Sequence, residues 1–137
     1  MLTQIIDGVI LVTLTVAIHS LVLGWSLRGV EARQSAARAA LPARVLLLAR
    51  LAILVIFAHL FEIVVWGVYY DWRGVLDGLE QSFYFSAVTY ATIGYGDVVP
   101  PHEWRVLASV EGLTGILMCG WSGGYFFAVV SRIYRLD

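Results

Sequence analysis

Thr89-Tyr90-Ala91-Thr92-Ile93-Gly94-Tyr95-Gly96-Asp97 is the most informative segment of this 137-residue chain. Gly94 and Gly96 alternate with bulky residues. A residue without a Cβ lets the backbone enter conformations closed to other side chains and approach an axis closely. Thr92 to Gly96 therefore has the residue types needed to aim successive backbone carbonyls at a cation, with the Thr92 hydroxyl at the inner end. Tyr95 can turn its ring away from that axis and brace the loop against Tyr84 and Phe85, by stacking and a phenolic hydrogen bond.

Just upstream, residues 79–91 form an apolar stretch. As a helix it would be roughly 20 Å long, too short to cross a hydrocarbon core of about 30 Å. A hydrophobic helix that begins and ends on one side of a membrane is re-entrant. The irregular segment after it can lie at membrane depth only where protein or water surrounds it. Farther out, three runs near residues 8–27, 45–70 and 105–130 are long enough to span. With 60% hydrophobic and 14% charged residues, the expectation is a single all-α membrane domain without an attached catalytic or ligand-binding module. The first run follows Asp7 rather than a cationic segment and precedes no small-x-small cleavage site, so it reads as a retained helix.

Net charge is −1 and all 9 cationic residues are Arg, which gives no basic surface of the kind that binds nucleic acid. Arg28, Arg33, Arg38, Arg44 and Arg50 face only Glu31, whereas Asp71, Asp77, Glu80, Asp97 and Glu103 face only Arg73. The positive-inside rule then sets the N-terminus outside and, with Arg132 and Arg135, the C-terminus in the cytoplasm of a multi-pass cell-membrane protein. The connection from Gly29 to Pro42 reads as a short helix on the inner leaflet, touching anionic lipid. Its arginines recur too sparsely, and mostly outside a span, to be gating charges. Trp25, Trp66, Tyr69, Tyr70, Trp72, Trp104 and Tyr134 fall near span ends, as interfacial anchors do.

A dehydrated potassium ion must regain several oxygen contacts, which one loop cannot supply and four can. A chain with one such loop would work as a cyclic homotetramer. The C-terminal ends of the re-entrant helices would then turn partial negative charge toward a cavity on the axis.

The segment resembles the signature of the potassium-channel pore family, T-x-x-T-x-G-Y-G-D. It matches at Thr89, Thr92, Gly94, Tyr95, Gly96 and Asp97, with the β-branched Ile93 where Val is commoner. The likeness covers roughly residues 45–130 and is greatest to small bacterial members of the ion-channel superfamily; the first span is additional to the minimal two-helix channel. It implies a tetrameric potassium-channel pore fold of three transmembrane helices, a re-entrant pore helix and a filter loop. Residues 1–44 would be an extra transmembrane helix with its Arg-rich linker, and 45–137 the pore domain of outer helix, pore helix, filter and inner helix. K+ would bind at Thr92, Ile93, Gly94, Tyr95 and Gly96, with Thr89, Tyr84, Phe85 and Asp97 in support and no organic cofactor. Val88 stands where some bacterial relatives have a bracing glutamate, so Asp97 needs another partner; Tyr84 and Phe85 replace the usual tryptophan pair. The alternatives are a non-conducting subunit that assembles with other channel chains and a less selective cation channel, both disfavoured by the intact filter. An enzyme is disfavoured because no nucleophile and base pair, metal cluster or nucleotide loop is present.

Ionisable residues inside spans are costly and invite a functional reading. His59 and Glu62 share a helix face in the second span, and Glu111 in the third lies within possible reach. They either pair and fix helix register or form a proton-sensitive gating element; as a metal site they offer too few ligands. His19 reads as a hydrogen-bonded packing residue and the lone Cys119 as a buried thiol, with no intrachain disulfide available. Gly112, Gly115, Gly120, Gly123 and Gly124 either let helices approach closely or, near Gly120 to Gly124, allow a gating bend.

Overall fold

The computed structural model describes residues 2–39 and 41–134, with the side chains of 2 and 31–39 outside that description. Four α-helices and no strand occur among the described residues: α1 (Leu2–Ala39), α2 (Leu41–Trp72), α3 (Leu79–Tyr90) and α4 (Arg105–Tyr134), the last preceded by a 3₁₀ turn at His102–Trp104. Thr3–Val30, Leu41–Trp72 and His102–Tyr134 are long and apolar enough to cross a membrane. These spans are longer at both ends than the hydropathy runs, because a helix continues past its apolar window for as long as its backbone bonds are satisfied. At about 1.5 Å per residue, the 12-residue α3 is only ~18 Å long.

Each long helix buries one stripe at helical spacing. On α1 the stripe is Leu11, Thr15, His19 and Leu23; on α2 it is Leu47, Leu51, Val55, Ala58, Glu62, Trp66 and Tyr70. The α1 helix packs on α2 and α4, and α3 is wedged between α2 and α4. Two apolar clusters result. One joins Leu11, Trp66, Tyr70, Phe85, Tyr90, Leu107 and Met118, and the other joins Leu23, Leu51, Val55, Tyr125, Val129 and Ile133. Between them in height lies a buried polar layer that includes His19, Glu62 and Ser122.

Several expectations change here. Helix α1 runs unbroken to Ala39, so the linker is the end of a long helix rather than a separate short one. Arg33 and Arg38 have side chains outside the described set, and Arg135 lies outside the described residues. Trp66 and Tyr70 are fully buried core residues, not interfacial anchors, because the α2 stripe turns them inward. Trp25 and Trp72 are exposed, as anchors are. Cys119 is exposed, because it follows Met118 and one helical step carries it off the packed face.

Candidate functional site

The segment after α3 begins with three backbone bonds that reverse the chain. Thr92 N–H donates to Thr89 O at 3.0 Å, and Ile93 and Gly94 N–H both donate to Val88 O at 2.8 and 3.1 Å. Thr92, Gly94 and Gly96 have φ of 59°, 57° and 78°, and no other residue between 79 and 134 has positive φ. Left-handed residues at alternate positions flip alternate peptide planes, which lets consecutive carbonyls face one side instead of alternating as in a strand. Glycine does this freely. Thr92 does so at a cost on the order of 1–3 kcal/mol, which its surroundings must hold in place. Residues 91–97 are all exposed on the single chain, Tyr95 at 70% and Ile93 at 52%.

The supports divide. Tyr84 donates its hydroxyl hydrogen to Asp97 Oδ2 at 2.6 Å, bridging the flank of α3 to the C-terminal end of the loop. That bond holds the Asp97 carboxyl below its ordinary value and raises the Tyr84 hydroxyl above its own. Tyr84 thus supplies the partner that Asp97 lacks with Val88 in the sequence. Phe85 is buried and stacks edge-on against Tyr70 of α2, ring centres 5.4 Å apart, so it anchors α3 and not the Tyr95 ring. Thr89 contributes its carbonyl to the Thr92 turn.

Beneath α3 the polar groups form two sites. Glu111 accepts from Tyr70 at 2.9 Å and from Ser86 at 2.6 Å, and Ser86 also reaches the Ile63 carbonyl at 2.9 Å. It does not join His59 and Glu62. Those two meet His19 instead: His19 Nδ1 is 2.9 Å from Glu62 Oε1, and His59 Nδ1 is 3.5 Å from Glu62 Oε2. Tyr90, the last residue of α3, donates to Glu62 Oε2 in a short hydrogen bond and lies 3.1 Å from His59 Nδ1. Both Nε2 atoms lie 3.1 Å from Ser122 Oγ on α4. His19 is thus the hydrogen-bonded packing residue that the sequence predicts, with partners the sequence does not name. The signal that could have joined it to the cluster is the four-residue stripe Leu11, Thr15, His19, Leu23, which puts its ring on the face packed against α2.

The glycines of α4 differ as well. A Cβ on Gly115 would run into the backbone of Tyr90, so this glycine permits close approach of α4 to the foot of α3. Gly120, Gly123 and Gly124 have no atom within 4 Å of such a Cβ. An open groove of about 640 Å³ lies between the loop and α4, bordered by Thr92, Gly94, Val99, Ser109, Gly112 and Ile116 among others.

Residues 51–132 match the sequence model of a family described as ion channel. Forty residues are 45% identical to Protein LctB of Bacillus caldotenax, covering 29% of this chain and 30% of that protein. A stretch of 43 residues is 44% identical to Protein LctB of Geobacillus stearothermophilus, covering 31% and 32%. The chain thus matches at most 32% of the length of these curated relatives. No solved structure matches.

Proposed function

The chain belongs to the ion-channel family, and from that premise we propose that it is one subunit of a homotetrameric, potassium-selective channel that conducts K+ passively. The observation that carries this reading is the alternation of left-handed residues at Thr92, Gly94 and Gly96 directly after a helix too short to span. In this reading α3 is the re-entrant pore helix, and the carbonyls of Thr92 to Gly96 with the Thr92 hydroxyl replace the hydration shell of K+. Tyr84 and Asp97 clamp the outer end of the filter. Fourfold assembly is supported by the exposure of Ile93, Tyr95 and Leu113 and by the groove beside the loop, which a neighbouring copy would fill. Residues 45–137 would be the pore domain and 1–44 an added helix with its linker.

The arginine bias supports an external N-terminus and loop, with the C-terminus in the cytoplasm. Arg28 and Arg50 line one cavity of about 530 Å³ with Trp25, Leu47 and Leu51, which suits an anionic lipid of the inner leaflet. K+ would be cargo, with no organic cofactor and no enzymatic step.

Purified protein in liposomes, under opposing potassium and sodium gradients, tests the proposal. The reversal potential should lie close to that of potassium. A reversal near zero would indicate the less selective cation channel, and silence of well-inserted protein the non-conducting subunit. Cross-linking in detergent should stop at four copies.

A further inference from the structure

The polar ring in the middle of the bundle has fewer hydrogens than contacts. With Glu62 a carboxylate and both imidazoles neutral, His19, His59, Tyr90 and Ser122 contribute one N–H or O–H hydrogen each, four in all. Five contacts close the ring: Glu62 to His19, His19 to Ser122, Ser122 to His59, His59 to Tyr90, and Tyr90 to Glu62. One contact is left without a hydrogen, next to a fully buried carboxylate. Both deficits, of hydrogen and of positive charge, are met by a cation at the centre, since buried charges persist where they are paired or coordinate a metal.

We propose that this cation is a divalent transition metal of the zinc class, bound by His19 of α1 and by His59 and Glu62 of α2. Tetrahedral coordination with bonds of about 2.0–2.1 Å separates ligand atoms by about 3.3 Å. Each imidazole faces one oxygen of the Glu62 carboxylate at a separation of that order, His19 Nδ1 at 2.9 Å from Oε1 and His59 Nδ1 at 3.5 Å from Oε2. All three ligand atoms lie within 4.8 Å of one another. The Tyr90 hydroxyl, 3.1 Å from His59 Nδ1 and hydrogen-bonded to Glu62 Oε2, borders the cluster. Two imidazoles and one carboxylate suit zinc and its transition-metal neighbours, whereas magnesium and calcium favour all-oxygen sets.

The surroundings fit the same assignment. A metal on both Nδ1 atoms leaves both Nε2–H groups as donors, and each lies 3.1 Å from the Ser122 hydroxyl, whose two lone pairs accept both. A shared acceptor of this kind fixes tautomer and ring orientation, the usual outer partner of a metal-bound histidine. The Trp121 ring packs on His19 with centres 5.5 Å apart and covers the cluster on the α4 side. The metal would join the N-terminal helix to Tyr90, the last residue of α3, and so to the segment that begins at Thr92. The site stands whether or not the pore selects potassium.

The test uses the full chain purified in detergent, stripped with a chelator and titrated with Co²⁺. The expected result is one Co²⁺ per chain with the strong visible bands of four-coordinate cobalt, displaced by Zn²⁺. His19→Gln should abolish the bands. Ser122→Ala, which removes no ligand, should weaken binding about 10–100-fold. Asp7→Asn, on the same helix but away from the ring, should bind as the parent does. The parent's titration decides the matter even where a variant fails to fold: no saturable Co²⁺ binding overturns the proposal. So does binding that survives both His19→Gln and Glu62→Gln. Imidazole NMR signals that move with pH in a protein that binds no Co²⁺ would mean that a proton alone fills the ring, and would also overturn it.

Discussion

Replacing Gly115 by Ala probes how α4 supports the foot of α3. A Cβ at Gly115 would overlap the Tyr90 carbonyl oxygen and would have the carbonyl carbon at 2.8 Å and the Cα at 3.1 Å, where ordinary contact begins at 3.4 Å. All three atoms are backbone, so no change of rotamer relieves the clash, and the two helices must part. Overpacking of this kind costs about 1–3 kcal/mol, against a gain of about 1 kcal/mol for Ala over Gly in a helix. Gly120→Ala is the matched reference: it makes the same change in the same helix with no atom within 4 Å. Comparing the two cancels the helix propensity and leaves the steric part. Gly115→Ala should therefore be less stable than Gly120→Ala by about 1–3 kcal/mol in equilibrium unfolding in detergent. Because Ala91 alone separates Tyr90 from Thr92, potassium flux in liposomes should fall in Gly115→Ala. Equal stability in the two variants, with a Gly115→Ala flux equal to the parent's, would refute the assignment of Gly115 as a close-approach site.

Other perturbations separate the remaining roles. Asp97 is held below its ordinary value chiefly by the Tyr84 hydroxyl, so its brace is complete above the ordinary carboxylate range and is lost as pH falls through the lowered value. Tyr84→Phe raises that value, and acid loss of flux, measured against external pH, should begin at a higher pH than in the parent; superimposable curves would count against the brace. Glu111→Leu strands the Tyr70 hydroxyl, at about 1–3 kcal/mol, while Ser86 keeps the Ile63 carbonyl. Glu111→Gln retains an acceptor and should cost less in the same unfolding assay. Asp7 accepts from Tyr69 at 2.6 Å and lies 3.6 Å from Arg73, part-exposed, so Asp7→Asn should shift stability by less than about 1 kcal/mol. A change in single-channel open probability in Gly120→Ala or Gly124→Ala would come from bending, since neither alanine meets a neighbour in the chain.

By itself the sequence determined what depends on one residue or one short run. Span length follows from apolar composition, and the three spans are where hydropathy put them. The reversals of φ at Gly94 and Gly96 follow from the missing Cβ, although the one at Thr92 does not. The tertiary structure alone decided which side chains meet. It sent Glu111 to Ser86 and Tyr70, brought His19 to His59 and Glu62, gave Asp97 to Tyr84, turned Trp66 and Tyr70 inward and left Cys119 outside. A helix turns about 100° per residue, so a shift of one position in how two helices face each other exchanges every partner. Apolar composition fixes that a helix lies in lipid, but its rotation is set by packing against neighbours far away in sequence. For that reason the loop could be read from nine consecutive residues, whereas the ring beneath it is built from four helices.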